Sequence, residues 1–486
     1  MKNRKLMETK PIEVFKYFED LTFIPRESSN ESGVADYLVD FAETNNLEWI
    51  RDKHNNVIIK KDASKGYEDH KGIIIQSHTD MVCQKKDGYE IDFMNDSIEF
   101  NVQDDMIIAE NTTLGADDGI GVAFGLAIMA DKNIKHPAIE LVCTSEEELG
   151  FFGAEALDMS VLKGKRIINI DHGCDNEFCI GCAGGPGIEC EFPVNREKAD
   201  MKKVNMKVSL NGLIGGHSGE DIDKGRGHAV KLFGRFLEAL DKEVGIDIST
   251  LSIGTQDSVI PRSAEAVICI DSLKETEVKE IAEKYQRYFS DEYYFTDPNI
   301  TINCEIADIV NDTVIDKMSK QRIFDFITFS DSGVVRMDTE FPEYVESSVS
   351  TGVVKLNENN VIMQILTRSS RKSIYDEMVR KIIRLTEIIG GTYKITSDCP
   401  EWEYKKDSVL ADIFQKAYKD MFNAEPKMII LHAGLEPGVF IKKMGGDIEA
   451  IAYGPNIKDM HTPGESLQIS SVEKMWEFTK KVLALL

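Results

Sequence analysis

Three adjacent carboxylates close an apolar run: in AIELVCTSEEELG, Glu146, Glu147 and Glu148 follow Ser145 directly. Other apolar runs end on groups of the same kind. GIIIQSHTD ends on His78 and Asp80, RIINIDHG on Asp171, and DIEAIAYGPNIKDMH on His461, while the loop TTLGADDGIG offers Asp117 and Asp118. Neutral imidazole with carboxylate oxygen is a ligand set for zinc, and also suits manganese or cobalt. A gathering of His, Asp, Asp, Glu and His exceeds what one four-coordinate ion takes and points to two ions with one carboxylate bridging. An adjacent pair such as Glu147-Glu148 can send one side chain to a metal. The other then stands beside a water whose pKa falls to about 7 in the best zinc cases, ready to take its proton.

Singly, each feature has a plainer explanation. Asp117 and Asp118 before a helix could be an N-cap and a first-turn acid. Three glutamates could open a solvated helix, and His78 could be a hydrogen-bonded core histidine. GIGVAFG has the look of a dinucleotide loop, but its glycine spacing is wrong and acids precede it. What gives the groups weight is their recurrence at successive strand ends. In an open parallel sheet those ends share one edge, where sites are built.

The elements that would position them follow from hydrophobic periodicity. Residues 11 to 50 read as helices, with apolar positions three or four apart. NNVIIKK, GIIIQSH, AIELVCTS and RIINIDHG then read as strands, with helices over GADDGIGVAFGLAIMAD and GAEALDMSVL. This alternation predicts an α/β fold with a mostly parallel sheet covered by helices. After Gly187 the strands alternate polar and apolar, as in KVNMKVSLNG, STLSIGTQ, AEAVICIDS and NITINCEIADI, between the helices HAVKLFGRFLEALDKE, ETEVKEIAEKYQRYF and SIYDEMVRKIIRLTEII. That texture predicts a one-faced antiparallel sheet with helices on its other face, in two similar halves. From Lys394 the first texture returns, with a helix over ADIFQKAYKDMF, strands over PKMIILHAG and GDIEAIAYG, and a closing helix. The expected organisation is a phosphorylase/hydrolase-like catalytic domain at 1–187 and 394–486, interrupted by an α+β lid domain at 188–393.

The 486-residue chain carries a formal charge of −27, which repels phosphate backbones and anionic membranes, so neither nucleic acid nor membrane is an expected partner. No apolar stretch approaches the roughly 20 residues of a membrane helix, and the start MKNRKLMETK lacks a signal-peptide core. Nine cysteines without a disulfide rhythm fit reduced thiols and a cytoplasmic location. Cys179 and Cys182, in CIGC, form one CxxC without a second at zinc-ribbon spacing and read as a core-facing pair.

Taken in order, HTDMV, GADDG, EEELG, NIDHG, GGHSG, HAGLEPG and MHTPGE resemble the di-zinc dipeptidase, aminopeptidase and deacylase family that includes carboxypeptidase G. HTDMVCQKK, GGHSGEDI and HAGLEPG are most similar to its aminoacyl-histidine dipeptidase branch, whose members split Xaa-His dipeptides such as carnosine. The resemblance implies metal ligation by His78, Asp117 (bridging), Glu148, Asp171 and His461. It implies Asp80 orienting His78, Glu147 as general base, and His217 reaching the scissile carbonyl from the lid domain. Arg368 would pair with a substrate carboxylate, and His432, Gly434 and Glu436 would line the substrate, Glu436 holding its free amino group. Two departures, His172-Gly173 after the ligand aspartate and Pro437 in HAGLEPG, touch specificity more than metal binding. The expected cofactor is two divalent ions, zinc first and manganese or cobalt next, in a monomer or homodimer acting on small dipeptides. Two rivals share the metal ligands: an N-acyl amino acid deacylase, and a non-catalytic peptide- or metal-binding relative.

Overall fold

The computed structural model describes residues 4–200, 202–307 and 312–486. The first three residues of the start, and Asp308 and Ile309 of the expected strand NITINCEIADI, lie outside the described residues. The chain forms two compact units. Unit 1 is Met1–Gly181, Tyr404–Ile430 and Leu435–Leu486; unit 2 is Cys182–Glu403 and Leu431–Gly434. The crossovers therefore fall at Gly181 and Glu403, not at 187 and 393. The strands Gly185–Pro193 and Thr392–Cys399 pair with each other inside unit 2, which draws both flanking segments into it.

The chain's first sheet has eight strands. In spatial order these are Glu48–Arg51, Val57–Lys61, Ile139–Thr144, Ile73–His78, Arg166–Asn169, Glu449–Ala452, Glu177–Cys182 and Lys427–Leu431. Ile73–His78 runs parallel to both its neighbours, and Arg166–Asn169 runs parallel to Glu449–Ala452. Glu177–Cys182 runs antiparallel to Glu449–Ala452, which ends this parallel run of four strands on that side. Glu48–Arg51 and Val57–Lys61 are antiparallel, because only a few residues connect them and a parallel pair needs a long crossover. Ile73–His78 and Ile139–Thr144 are buried at every position, as expected of strands covered on both faces. Cys179 and Cys182 are both buried on their strand.

The helix Ala116–Ala130 packs against Ile73–His78 and the helix Ile12–Thr22. The region GAEALDMSVL is less helical than its periodicity predicts. A short helix, Phe152–Ala156, stops at the extended Leu157, and a single turn follows at Met159–Val161. There the Asp158 side chain accepts the Ser160 N–H, a local bond that competes with a continuing helix.

Unit 2 holds a nine-stranded sheet whose described pairings are all antiparallel. One half is Lys203–Asn211, helix Ala229–Val244, Asp247–Ile253, Ala264–Asp271, helix Glu275–Glu292 and Thr301–Ile306. The other is Gly185–Pro193, helix Lys317–Phe329, Val345–Leu356, Asn360–Ser369, helix Lys372–Ile389 and Thr392–Cys399, with Gly333–Met337 added beside Val345–Leu356. Both are βαββαβ units with mirrored strand order, meeting edge to edge at Asp247–Ile253 and Val345–Leu356. The first half is inserted in the second, after its opening strand. Among the described residues, no helix is long and apolar enough to cross a membrane.

Candidate active site

At the carboxyl ends of the parallel strands, two histidines meet one carboxylate. His78 Nε2 lies 3.0 Å from Asp117 Oδ1 and 3.9 Å from Asp171 Oδ1. His461 Nε2 lies 3.1 Å from Asp117 Oδ2 and 3.0 Å from Glu148 Oε1. The two oxygens of Asp117 thus face different imidazoles, the arrangement a carboxylate takes when it bridges two cations. Donor atoms of His78, Asp118 and Asp171 lie within 4.8 Å of one another, as do those of His78, Glu147 and Glu148 and those of Asp117, Glu148 and His461.

The electrostatics fit missing positive charge. Burial, with Asp171 and Glu148 nearby, pushes the Glu147 carboxyl well above the usual range, and burial with Asp117 does the same to Asp171. Hydrogen bonds that the Asp117 and Glu148 carboxylates accept raise His461 to about 11. Burial alone would lower the His78 imidazole, but Glu147, Asp117, Asp80 and Asp171 outweigh it and raise it. So many carboxylates around two imidazoles have the oxygen and nitrogen donors, and the charge deficit, that divalent cations satisfy.

Each glutamate of the opening triplet has a distinct place. Glu146 Oε1 accepts from Ser29 Oγ at 2.9 Å, directed away from the cluster, while Glu148 reaches His461. Asp80 holds the turn between them: Oδ1 accepts the Glu147 N–H at 3.0 Å, and Oδ2 accepts the Glu148 N–H at 3.2 Å and the Ser28 hydroxyl at 2.7 Å. Asp80 Oδ1 also stands 3.5 Å from His78 Nδ1, on the side of the ring away from Asp117. Asp118, left out of the expected ligand set, is buried in the cluster and accepts the His78 N–H at 3.2 Å and the Gly121 N–H at 3.1 Å.

Glu436 is held by the central strands. The side chain has no exposed surface, and its Oε2 accepts from Gln76 Nε2 and from Thr144 Oγ1, both on the central strands. Asn169 Nδ2 extends the network to Gln76 Oε1 at 2.6 Å. Burial raises the Glu436 carboxyl to about 7. Through Oε2 it braces the strands that end in ligands. Pro437 begins the helix Glu436–Met444, a position where its missing N–H is harmless. His172 Nε2 lies 3.6 Å from Glu177 Oε2.

Unit 2 gathers a second group. Arg368 lies opposite Ser348 in the sheet, is half-buried on its strand, and has no ion-pair partner among the described residues. His432 Nε2 is 2.7 Å from Ser348 Oγ, and burial with Arg368 nearby lowers its pKa to about 3. Gly434 ends the short loop that brings His432 into this unit. His217 sits on the two-residue strand Gly216–His217, where Asp221 Oδ2 accepts its N–H at 2.9 Å. Its Nδ1 accepts the Glu220 N–H at 3.1 Å, and its Nε2 lies 3.5 Å from Arg368 Nη2. Burial and Arg368 lower the His217 pKa and favour the neutral form. Arg368 is thus a cation beside two imidazoles whose lowered pKa values favour the neutral form.

Residues 74–484 match the family model described as peptidase family M20/M25/M40. The chain belongs to that family. This M20/M25/M40 chain is 32% identical over 480 residues to the cytosol non-specific dipeptidase of Escherichia coli strain K12, covering 99% of the chain and 98% of the relative. Among solved structures, the aminoacylhistidine dipeptidase from Vibrio alginolyticus matches with a TM-score of 0.89 and 31% identity, over 100% of this chain and 98% of that one. The aminopeptidase PepT from Bacillus cereus shares the fold at a TM-score of 0.56 and 15% identity, covering 98% of each chain.

Proposed function

We propose that this chain is a metal-dependent dipeptidase, with Xaa-His dipeptides among its substrates. The observation that carries the reading is Asp117, whose two oxygens each face a separate imidazole. Membership of a peptidase family and full-length similarity to two dipeptidases support it.

His78, Asp117, Glu148, Asp171 and His461 would hold two divalent cations, with zinc, manganese and cobalt all compatible with the donor set. When bound, such ions supply Lewis acidity and a water made nucleophilic at neutral pH. Glu147 takes the proton of the attacking water on its carboxylate and returns it to the leaving amine nitrogen. Asp80 fixes the backbone of Glu147 and Glu148 and orients the His78 ring. His217 helps stabilise the oxyanion of the tetrahedral intermediate, and Arg368 pairs with the free carboxylate of the peptide. We place the enzyme in the cytoplasm, as the name of the Escherichia coli relative and the unpatterned cysteines indicate.

The test is release of free histidine from β-Ala-His and a panel of Xaa-His and other dipeptides, using protein stripped by chelator and resupplied with Zn²⁺, Mn²⁺ or Co²⁺. Metal-restored cleavage that requires a free α-amino group supports the reading. Cleavage of N-acyl amino acids in its place would move the chain to the deacylases, and binding without turnover under every metal would overturn catalysis.

A further inference from the structure

Two buried, oppositely charged residues tie together the loops that present His78, Asp117 and His461. Glu465, four residues beyond His461, spends its whole carboxylate on the backbone before Asp117. Oε2 accepts the N–H groups of Leu114 at 2.7 Å and Gly115 at 2.9 Å; Oε1 accepts those of Ala116 at 2.8 Å and Asp117 at 3.3 Å. The Glu465 backbone is fixed as well, its carbonyl accepting the Ala109 N–H, while the Gly464 N–H donates to Ala109 and Thr112. The carboxylate therefore clamps the His461 loop to the Asp117 loop.

Arg26 makes the other link. Its Nη1 donates to the carbonyls of Thr79 at 2.9 Å and Asp80 at 3.1 Å, immediately after His78, and its Nη2 donates to the Gly115 carbonyl. The loop has been shaped around this guanidinium: a Cβ at Gly115 or at Gly119 would fall against Arg26 Nη2. Gly115 also has φ +69°, a conformation that disfavours a side chain. Arg26 is 2% exposed and Glu465 1% exposed, so neither interaction is diluted by solvent.

We infer that Arg26 and Glu465 are positioning residues that set the spacing of His78, Asp117 and His461, and through it the affinity of the site for divalent metal. The inference rests on the metal-dependent reading above. A bidentate carboxylate is the one side chain of this length with two acceptor atoms and no donor. Gln in its place would turn an amide N–H₂ toward N–H groups and release one edge of the Asp117 loop. Lys at position 26 keeps the charge but loses the fork that spans two loops.

The experiment titrates Co²⁺ and Zn²⁺ into metal-free protein against a chromophoric chelator and records the Co²⁺ visible spectrum. Wild type is compared with Glu465→Gln, Arg26→Lys and a control, Glu140→Gln. Glu140 is also a buried carboxylate that accepts backbone N–H groups, from Lys163 and Gly164, but it stands outside the ligand loops. Metal affinity should fall about 10- to 100-fold in Glu465→Gln and Arg26→Lys, with an altered Co²⁺ spectrum, and stay at the wild-type value in Glu140→Gln. Unchanged affinity in both site variants would overturn the inference, as would an equal loss in the control. If Glu465→Gln does not fold, Arg26→Lys decides by the same titration, and Arg26→Met replaces it if that also fails. Wild-type protein that binds neither metal would instead overturn the metal-dependent reading itself.

Discussion

Asp117 Oδ2 and His461 Nε2 stand 3.1 Å apart although 344 residues separate them. With Asp117 Oδ1 3.0 Å from His78, one side chain links the first and last of the ligand-bearing segments. Asp117→Ala should therefore disturb both metal positions together. Metal analysis of protein purified at matched metal concentration should give less than one equivalent per chain, against two for wild type. A variant that still holds two would show that Asp117 does not bridge.

Glu147 is the proton carrier in the proposed reaction, whereas Glu148 faces His461. Glu147→Gln should keep near-normal metal content while kcat drops by about 10²- to 10⁴-fold. Glu148→Gln should lose metal first. Exchanged phenotypes would mean that the two roles are reversed.

Arg368 is half-buried and has no ion-pair partner among the described residues, which suits a substrate's free carboxylate. Wild type should prefer a dipeptide over its C-terminal amide. In Arg368→Ala, kcat/KM for the free dipeptide should fall about 10- to 100-fold, the effect of losing a charge-assisted hydrogen bond. The amide should be nearly unaffected, so the ratio of the two rates is the measurement. An equal fall for both would remove the carboxylate assignment.

Unit 2 should show a histidine signature in its acid stability. Burial, with Lys231 nearby, lowers the His228 pKa from 6.5 to about 3, and its Nε2 contacts Ser350 Oγ at 3.3 Å. Below pH 6.5 the unfolded chain binds a proton at this residue that the folded chain does not bind until about pH 3. Stability from the neutral ring is thus present above pH 6.5 and lost as the pH falls, by up to about 1.4 kcal/mol per pH unit. His228→Gln removes that dependence. Urea unfolding at pH 7.5, 6 and 5 should find the variant less stable at pH 7.5, with the gap to wild type closing as the pH falls. A gap that does not change with pH would count against a neutral buried His228.

The strand-end placement of His78, Glu147, Glu148, Asp171 and His461 was legible because fully buried parallel strands read as apolar runs, and polar residues at their ends stand out. The two βαββαβ halves were legible only as texture. The second half is split, its first strand at 185–193 and the rest from Lys317 onward, so no tandem repeat exists to be found. The unit boundaries were displaced for a related reason: pairing of Gly185–Pro193 with Thr392–Cys399 is a long-range choice that neither segment announces.

Residue type and local spacing determined the ligand chemistry, the α/β texture and the acids competing for each role. They could not decide burial or direction. Glu436 gave no sign in the sequence that its carboxylate would accept from Gln76 and Thr144 on the central strands. Asp118 looked like a first-turn acid, and folding set its carboxylate on the His78 N–H. Arg26 and Glu465 carried no local signal at all, because their partners are backbone groups 53 to 89 and 348 to 351 residues away. Hydrogen bonds to a backbone leave no mark on the identity of the residues that make them, so only the folded chain could reveal what holds the site in register.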